Sequence, residues 1–281
     1  MLVTWYPGHM TKAKRMMQEN IRLIDLIIEL LDARIPMSSR NPDIDTLGNG
    51  KGRLVVLNKA DLADPAVTQE WIRYFEDLGI IAVTINARER NGFSLIQGAI
   101  QKACAEKIER DRKRGILNRP VRAMVAGIPN VGKSTFINTL AGKACAKTGN
   151  KPGVTKGKQW IRLNKNVELL DTPGLLWPKF DDEETGMHLA MIGSINDEIL
   201  QKEELSVELI DRIRRISPEA IGKRYGIDEN GTGYEVLGRI AQARGCLRKG
   251  NEPDPEKAAG IVLEEFRSGK IGRISLEAPK E

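Results

Sequence analysis

The chain has 281 residues, 41% of them hydrophobic and 29% charged, with a net charge of +6. This is the make-up of a globular protein, and no apolar run approaches the ~20 residues that would cross a membrane. The opening MLVTWYPGHMTKAK lacks the apolar core of a secretory signal, and three scattered cysteines (Cys104, Cys145, Cys246) show neither metal spacing nor a disulfide framework. Reduced core cysteines in a cytoplasmic protein are the expectation.

The charge is unevenly spread. Residues 1–180 carry 29 Lys and Arg against 17 Asp and Glu, whereas residues 181–281 carry 15 against 21. A basic half of that size suits a polyanion, nucleic acid first among them, with a plain solvated surface as the alternative.

Taken in chain order, LIDLIIELLDAR (23–34) is a near-continuous apolar run that periodicity leaves open between a helix and a buried strand. GRLVVLNKAD (52–61) is a short β-rich run with a polar end. AVTQEWIRYFEDLG (66–79) has helical spacing and a Gly stop, and IIAVTINAR (80–88) is again strand-like. SLIQGAIQKACAEKIERDRKRG (94–115) predicts one long helix that becomes highly charged. RAMVAG (122–127) is a strand entering a glycine loop, KSTFINTLAGK (133–143) a helix, and KQWIRLNKNVELLD (158–171) a hairpin turning at NKN. Strands alternating with helices indicate a mostly parallel α/β sheet.

Beyond DTPGLLWPKF the texture changes. Residues 183–195, 203–216, 233–246 and 255–268 read as helices, with a strand expected only at IGRISL near the end. This predicts an α/β domain over 1–180 and a small helical domain over 181–281. The acidic DDEE at 181–184 reads as the first turn of a helix, where carboxylates suit the dipole, ahead of a metal site.

GIPNVGKS (127–134) fits G-x-x-x-x-G-K-S between a strand and a helix. Backbone N–H groups of such a loop form a nest for phosphate oxygens. Asn130, Val131, Gly132, Lys133, Ser134 and Thr135 are therefore expected to cradle phosphates, with Lys133 on the outer ones and the Ser134 hydroxyl on Mg²⁺. LLDTPG (169–174) follows by about forty residues. Asp171 would hold Mg²⁺ through water, and the Gly174 N–H would sense the γ-phosphate. Between them lies KPGVTKGK, whose Thr155 is the candidate second hydroxyl ligand of Mg²⁺ in a loop that orders on binding.

VVLNKADL (55–62) supplies the base reader. An Asn and an Asp on a loop can read guanine, the carboxylate accepting from the ring N–H and the exocyclic amine, a pair that adenine cannot donate. Asn58, Lys59, Ala60 and Asp61 form that loop, with the Lys59 stem stacked across the base. TINAR (84–88) supplies a second base loop, Asn86 and Ala87, where the Ala87 N–H would meet the guanine carbonyl. The order (base reader, second base loop, phosphate loop, switch loop, D-x-x-G) is a rotation of the usual one. Packing depends on spatial neighbours, so a rotated chain can build the same site.

These motifs, with WYPGHM (5–10) and DARIPMSSRNP (32–42), resemble those of circularly permuted GTPases of the ribosome biogenesis GTPase A (YlqF) family. The resemblance covers essentially the whole chain. It implies a circularly permuted P-loop GTPase domain followed by a small all-helical domain with an RNA-binding role. It further implies a GTPase that binds the precursor of the large ribosomal subunit late in assembly and leaves after hydrolysis; a cytoplasmic monomer is the accompanying expectation.

Two features bear on mechanism. Leu175 and Leu176 stand where small GTPases place the glutamine that orients water, so slow intrinsic hydrolysis is expected. His9 is the candidate replacement, an imidazole able to take a proton from water near neutral pH, or else a residue packing the first helix. His188, inside a predicted helix, reads as structural. Asn130 is the residue that related GTPases use with K⁺ beside the phosphates; the alternative is an ordinary loop asparagine.

Basic clusters at Lys12/Lys14/Arg15, at Arg110/Arg112/Lys113/Arg114 with Arg119 and Arg122, and at Lys143/Lys147/Lys151/Lys156/Lys158 are candidate RNA contacts. From residue 201 onward 15 basic residues face 15 acidic ones, so contacts there fall to patches such as Arg244/Arg248/Lys249 or Lys270/Arg273. A P-loop small-molecule kinase would explain GKS but neither NKAD nor DTPG. A guanine-nucleotide-dependent interaction module with incidental hydrolysis is the other alternative.

Overall fold

The computed structural model describes residues 15–89, 92–117, 119–142, 159–172, 183–195 and 201–279. His9, Thr155 and Gly174, the switch-loop lysines, and Lys12 and Lys14 lie outside the described residues.

Six strands form one sheet in the order β3-β2-β1-β4-β6-β5. They are β1 (Leu26–Asp32), β2 (Gly52–Asn58), β3 (Ile81–Thr84), β4 (Val121–Ala126), β5 (Gln159–Arg162) and β6 (Val167–Asp171). The first four and β6 run parallel, and β5 closes the edge antiparallel to β6. LIDLIIELLDAR therefore resolves as a strand. All seven positions of β1 are buried between β2 and β4, which is why the run lacks the alternation of a one-sided strand.

Helices cover both faces. In β2, Leu54 and Val56 belong to the larger core cluster, while Val55 and Leu57 face Trp71 and Phe75 of α2 (Pro65–Asp77). The period of two is present, with apolar groups on both sides. Two more helices precede and follow α2: the short α1 (Asp43–Leu47) and α3 (Phe93–Ala103). Asp64 caps α2, its Oδ1 accepting from the Ala66 and Val67 N–H groups at 2.7 and 3.1 Å, with Pro65 at the first helical position.

The long helix expected over 94–115 divides at Cys104 into α3 and α4 (Ala105–Lys113). The reason is a change of surroundings. α3 packs on the sheet, with Ile96 and Ile100 buried, whereas α4 buries none of its residues. α5 (Lys133–Ala141) follows the glycine loop.

The chain continues through α6 (Glu183–Met191), α7 (Lys202–Ile216), α8 (Ala220–Tyr225), α9 (Gly233–Ala243) and α10 (Pro255–Arg267). Glu183 and Glu184 open α6, as the helical reading of DDEE required. Thr232 and Glu235 form a reciprocal capping box at α9. α8, between the predicted helices, escaped the sequence reading, as did α1 and the helical turns at 15–20. No described helix is long and apolar enough to cross a membrane.

IGRISL forms no strand. The segment runs extended against loops of the sheet: the Ile274 N–H donates to the Leu62 carbonyl at 3.1 Å and the Leu276 N–H to that of Arg34 at 2.9 Å. Its end is fastened by Glu277, whose carboxylate accepts from the Met37 and Ser38 N–H groups at 2.9 and 3.0 Å. Buried His188 lies between, with Nδ1 3.1 Å from Glu277 Oε1 and Nε2 2.9 Å from an Arg212 Nη. Because the guanidinium can only donate, Nε2 accepts and Nδ1 carries the proton. His188 is thus a bracket between α6, α7 and the last segment.

Glu277→Ala should strip that bracket and leave the Met37 and Ser38 N–H groups without their acceptor, with only the Ser38 hydroxyl, 3.0 Å away, remaining beside His188 Nδ1. A loss on the order of 2 kcal/mol is expected in urea unfolding, and an unchanged midpoint would mean that the end of the chain does not secure the fold.

Candidate nucleotide-binding site

The glycine loop joins β4 to α5 at the carboxyl edge of the sheet, the edge at which open α/β sheets bind ligands. Two glycines permit its path. A Cβ on Gly127 would lie 2.6 Å from the Leu30 carbonyl oxygen. Gly132 has φ +98° and a Cβ there would sit 2.5 Å from Asn58 Nδ2.

That last approach marks the junction of the site. Asn58, at the end of β2 and buried, donates from Nδ2 to the Val131 carbonyl at 2.7 Å. Its Oδ1 accepts from the Ala87 N–H at 2.9 Å. One carboxamide thus ties the NKAD loop to the phosphate loop and to the TINAR loop. Thr139 of α5 closes the circuit, donating to the Ala87 carbonyl at 2.8 Å. Asn86 turns the same loop locally, its Oδ1 accepting from the Arg88 N–H at 3.0 Å.

Lys59 adopts the left-handed conformation at φ 59°. Its ammonium reaches Asp32 Oδ2 at 3.0 Å and the Asn130 carbonyl at 2.9 Å. Asp32 is fully buried and also takes Arg34 in two contacts, at 2.9 and 2.8 Å. Burial pushes the Asp32 carboxyl up, but Arg34 and Lys59 outweigh it and hold the group well below the ordinary carboxylate range. Arg34 in turn stacks over the Phe266 ring at 5.1 Å, joining this cluster to α10. The DAR segment, quoted in the sequence only as a point of resemblance, is thus the buried anchor of the base loop.

Ala60 and Asp61 sit on a 3-10 turn, Ala60–Leu62. Asp61 is exposed, and its carboxylate has no partner among the described residues. The turn is braced from beneath by Arg273, which donates to the Ala63 and Ala60 carbonyls at 2.9 and 3.0 Å.

The tip of the phosphate loop is tethered to the turn after α6. Asn130, also left-handed at φ 59°, donates from Nδ2 to the Gly193 carbonyl at 2.7 Å, and the Ser194 hydroxyl donates to that of Pro129 at 2.8 Å. Arg267 of α10 holds the same turn through the Met191 and Ala190 carbonyls at 2.9 and 2.7 Å.

Lys133 is buried at the start of α5, its ammonium 3.3 Å from the Gly127 carbonyl. Burial pushes its amine down to about 8, with Asp171 acting in the opposite sense. Asp171, at the end of β6, is buried, and neither carboxylate oxygen finds a well-formed hydrogen bond among the described residues, the Thr172 backbone N–H acting on it only weakly. Burial pushes its carboxyl up, with Lys133 opposing. A buried cation and a buried, orphaned carboxylate flank the loop, each strained in the direction that polyphosphate and a divalent cation would relieve. The hard oxygen of Asp171, with the partly exposed Ser134 hydroxyl on the first turn of α5, suits Mg²⁺.

A strand-loop-helix phosphate cradle joined to an NKAD turn from earlier in the chain defines a permuted P-loop GTPase. The comparisons agree. A family model described as "50S ribosome-binding GTPase" matches residues 122–227, beginning at β4 and therefore leaving Asn58–Asp61 outside. "Ribosome biogenesis GTPase A" of Bacillus cereus is 46% identical, covering 100% of this chain and 95% of that protein. The protein of the same name from Thermotoga maritima is 33% identical over 99% and 95%. The solved structure of GNP-bound YlqF from T. maritima has a TM-score of 0.70 at 30% identity, covering 96% of this chain and 99% of that one. The chain belongs to the ribosome biogenesis GTPase A family, and it is a GTP-hydrolysing enzyme.

Lys133→Met removes a buried ammonium while keeping its stem. The nucleotide-free protein should melt no lower than wild type below pH 8, whereas stabilisation by GDP should vanish. The folded amine titrates near 8 and the unfolded one near 10.5. Wild type therefore carries the full penalty below pH 8 and sheds it as pH rises through that window, by on the order of 3 kcal/mol. Thermal melts of both proteins from pH 7 to pH 10, with and without GDP, measure this; a lower melt for Lys133→Met at pH 7 without nucleotide would refute it.

Proposed function

We propose that this GTPase is an assembly switch: it binds the precursor of the large (50S) ribosomal subunit with GTP, promotes a late maturation step, and is released after hydrolysis. The observation that carries the proposal is the Asn58 junction, which brings base loop and phosphate loop together while leaving Asp61 exposed. The ribosomal partner rests on the names of full-length relatives, among them a "Mitochondrial ribosome-associated GTPase 1" of Mus musculus at 33% identity, and on the basic half of the chain. The same reading places the protein in the cytoplasm as a monomer, with residues 1–180 as the GTPase domain and 181–281 as the helical one.

In this reading Asp61 accepts the two guanine donors, Lys59 lays its stem across the base, and Ala60, Asn86 and Ala87 line the carbonyl edge. Asn58 holds those loops in register. Residues Asn130–Thr135 take the phosphates, and Lys133 neutralises the outer ones. Ser134 and Thr155 would hold Mg²⁺, with Asp171 acting through water and Gly174 sensing the γ-phosphate. Bound there, Mg²⁺ would neutralise charge that develops on the phosphates. Asn130 is the proposed K⁺ contact. With Leu175 and Leu176 in the place of a water-orienting glutamine, hydrolysis is slow alone, and His9 takes up the water's proton when the subunit is engaged.

GTP hydrolysis with and without purified large subunits, in K⁺ and in Na⁺ and with ATP as control, tests the switch. Strong stimulation restricted to GTP and favoured by K⁺ is expected; guanine-specific turnover indifferent to subunits would return the protein to the class of passive interaction modules. Asp61→Asn should move preference from GTP to XTP by at least tenfold in competition binding, because an amide donates where xanthine presents a carbonyl. Unaltered GTP preference would remove Asp61 from the base site.

A further inference from the structure

The basic residues singled out in the sequence fall into two kinds. Of those among the described residues, most are answered within the chain. Arg119 meets Asp25 at 3.5 Å, and Arg122 meets Glu168 at 3.3 Å beneath the Trp160 ring. Arg244 meets Glu265 at 3.2 Å, Arg248 meets Asp254 at 3.4 Å, and Arg273 is engaged by the base loop. Lys249 and Lys270 stand exposed and unpaired one at a time, whereas Arg110, Arg112 and Arg114 do so together. All three are exposed, and none makes an ion pair within 4 Å among the described residues, although Arg110 is near enough to Asp111 to act on its carboxyl.

Arg110 and Arg112 stand on α4 and Arg114 ends it, and the position of the helix is fixed by another of its residues. Lys107 reaches Asp25, just before β1, at 3.3 Å, and Asp111 at 2.9 Å. A helix that buries none of its own residues gains nothing from core packing, and the like charges of Arg110 and Arg114, four positions apart, repel one another. The helix dipole favours cations in a last turn, but it does not call for three unpaired guanidiniums. Beside them Leu117 is 74% exposed and Ile116 43%. A fork of N–H donors matches phosphate in two contacts at once, and apolar side chains at the rim suit a sugar or base edge.

The placement adds a second point. Asp25 precedes β1, and residues 114–119 lead into β4, so α4 lies at the amino edge of the sheet. Asn58, Asp171 and the phosphate loop lie at the carboxyl edge. We propose that α4 and the turn after it grip the phosphate backbone of structured RNA, as an anchor whose strength is the same with GTP and GDP. The proposal rests on the ribosomal reading for the source of the RNA, and it divides the chain into a constant grip at one edge and a switched one at the other.

The test uses the full chain carrying Arg110→Gln, Arg112→Gln and Arg114→Gln, with GTP affinity and the urea midpoint confirming an intact fold. Binding to two probes, an RNA hairpin duplex and purified large-subunit precursor, is measured across a salt series in GDP and in a non-hydrolysable GTP analogue. The expected result is at least a tenfold loss on both probes, equal in both nucleotide states, with the log–log salt slope reduced by about 2 to 3. The Lys triple variant should keep the slope. Three results overturn the anchor: no change on either probe, loss only with the GTP analogue, or loss on the particle with none on the duplex, which would assign α4 to an acidic ribosomal protein. If wild type binds the duplex but not the particle, the assembly-switch reading fails while the anchor stands or falls on the duplex arm. Wild type binding neither probe overturns both.

Discussion

A single buried carboxamide decides whether this chain has a nucleotide site. Asn58 lies between three loops that arrive from three separate parts of the sequence, and its donor and acceptor are both directed inward, to Val131 and Ala87. The close approach is possible only because residue 132 has no side chain in the way. The consequence is a division within NKAD: Asn58 and Lys59 hold the architecture, and Asp61 stands exposed, the residue we propose for the base. Lys59 extends the junction through Asp32 to Arg34 and so to α10, and a buried carboxylate held by two cations is fixed in place because losing either leaves a buried lone pair without its donor.

The electrostatics of the phosphate cradle run the other way. Asp32 is stabilised by its surroundings, whereas Lys133 and Asp171 are both held away from their ordinary protonation behaviour by burial. A site preorganised in this manner concentrates its unmet demand where a polyphosphate and a divalent cation would sit, and ligand binding then contributes stability that the empty fold lacks. The loop tip is also tied through Gly193, Ser194 and Arg267 to the helices that follow, giving the nucleotide end of the sheet a physical connection to α6 and α10.

Much of this was readable from the chain, and the limits are instructive. The phosphate loop, the hairpin before Asp171 and the strand character of 52–58 and 122–127 follow from local pattern, because each is set by neighbours in sequence. The run at 23–34 stayed ambiguous because a strand buried on both faces has no alternation to read. The long helix broke at Cys104 because its two halves meet different surroundings, which composition hinted at in the turn from apolar to charged. IGRISL has the residues of a strand but finds loop carbonyls instead of a strand edge, a tertiary outcome. The DAR cluster and the Glu277–His188 bracket join residues more than eighty positions apart, or depend on a buried charge, and no local signal announces them; a charged Asp-x-Arg closing an apolar strand is the one hint available.

The most direct test is the urea unfolding of Asn58→Ala without nucleotide. If Asn58 organises the loops, its removal leaves the Val131 carbonyl and the Ala87 N–H buried and unpaired, and stability should fall by about 2 kcal/mol before any ligand is added. A nucleotide-free stability equal to wild type would contradict this account and return Asn58 to the role of a base contact alone.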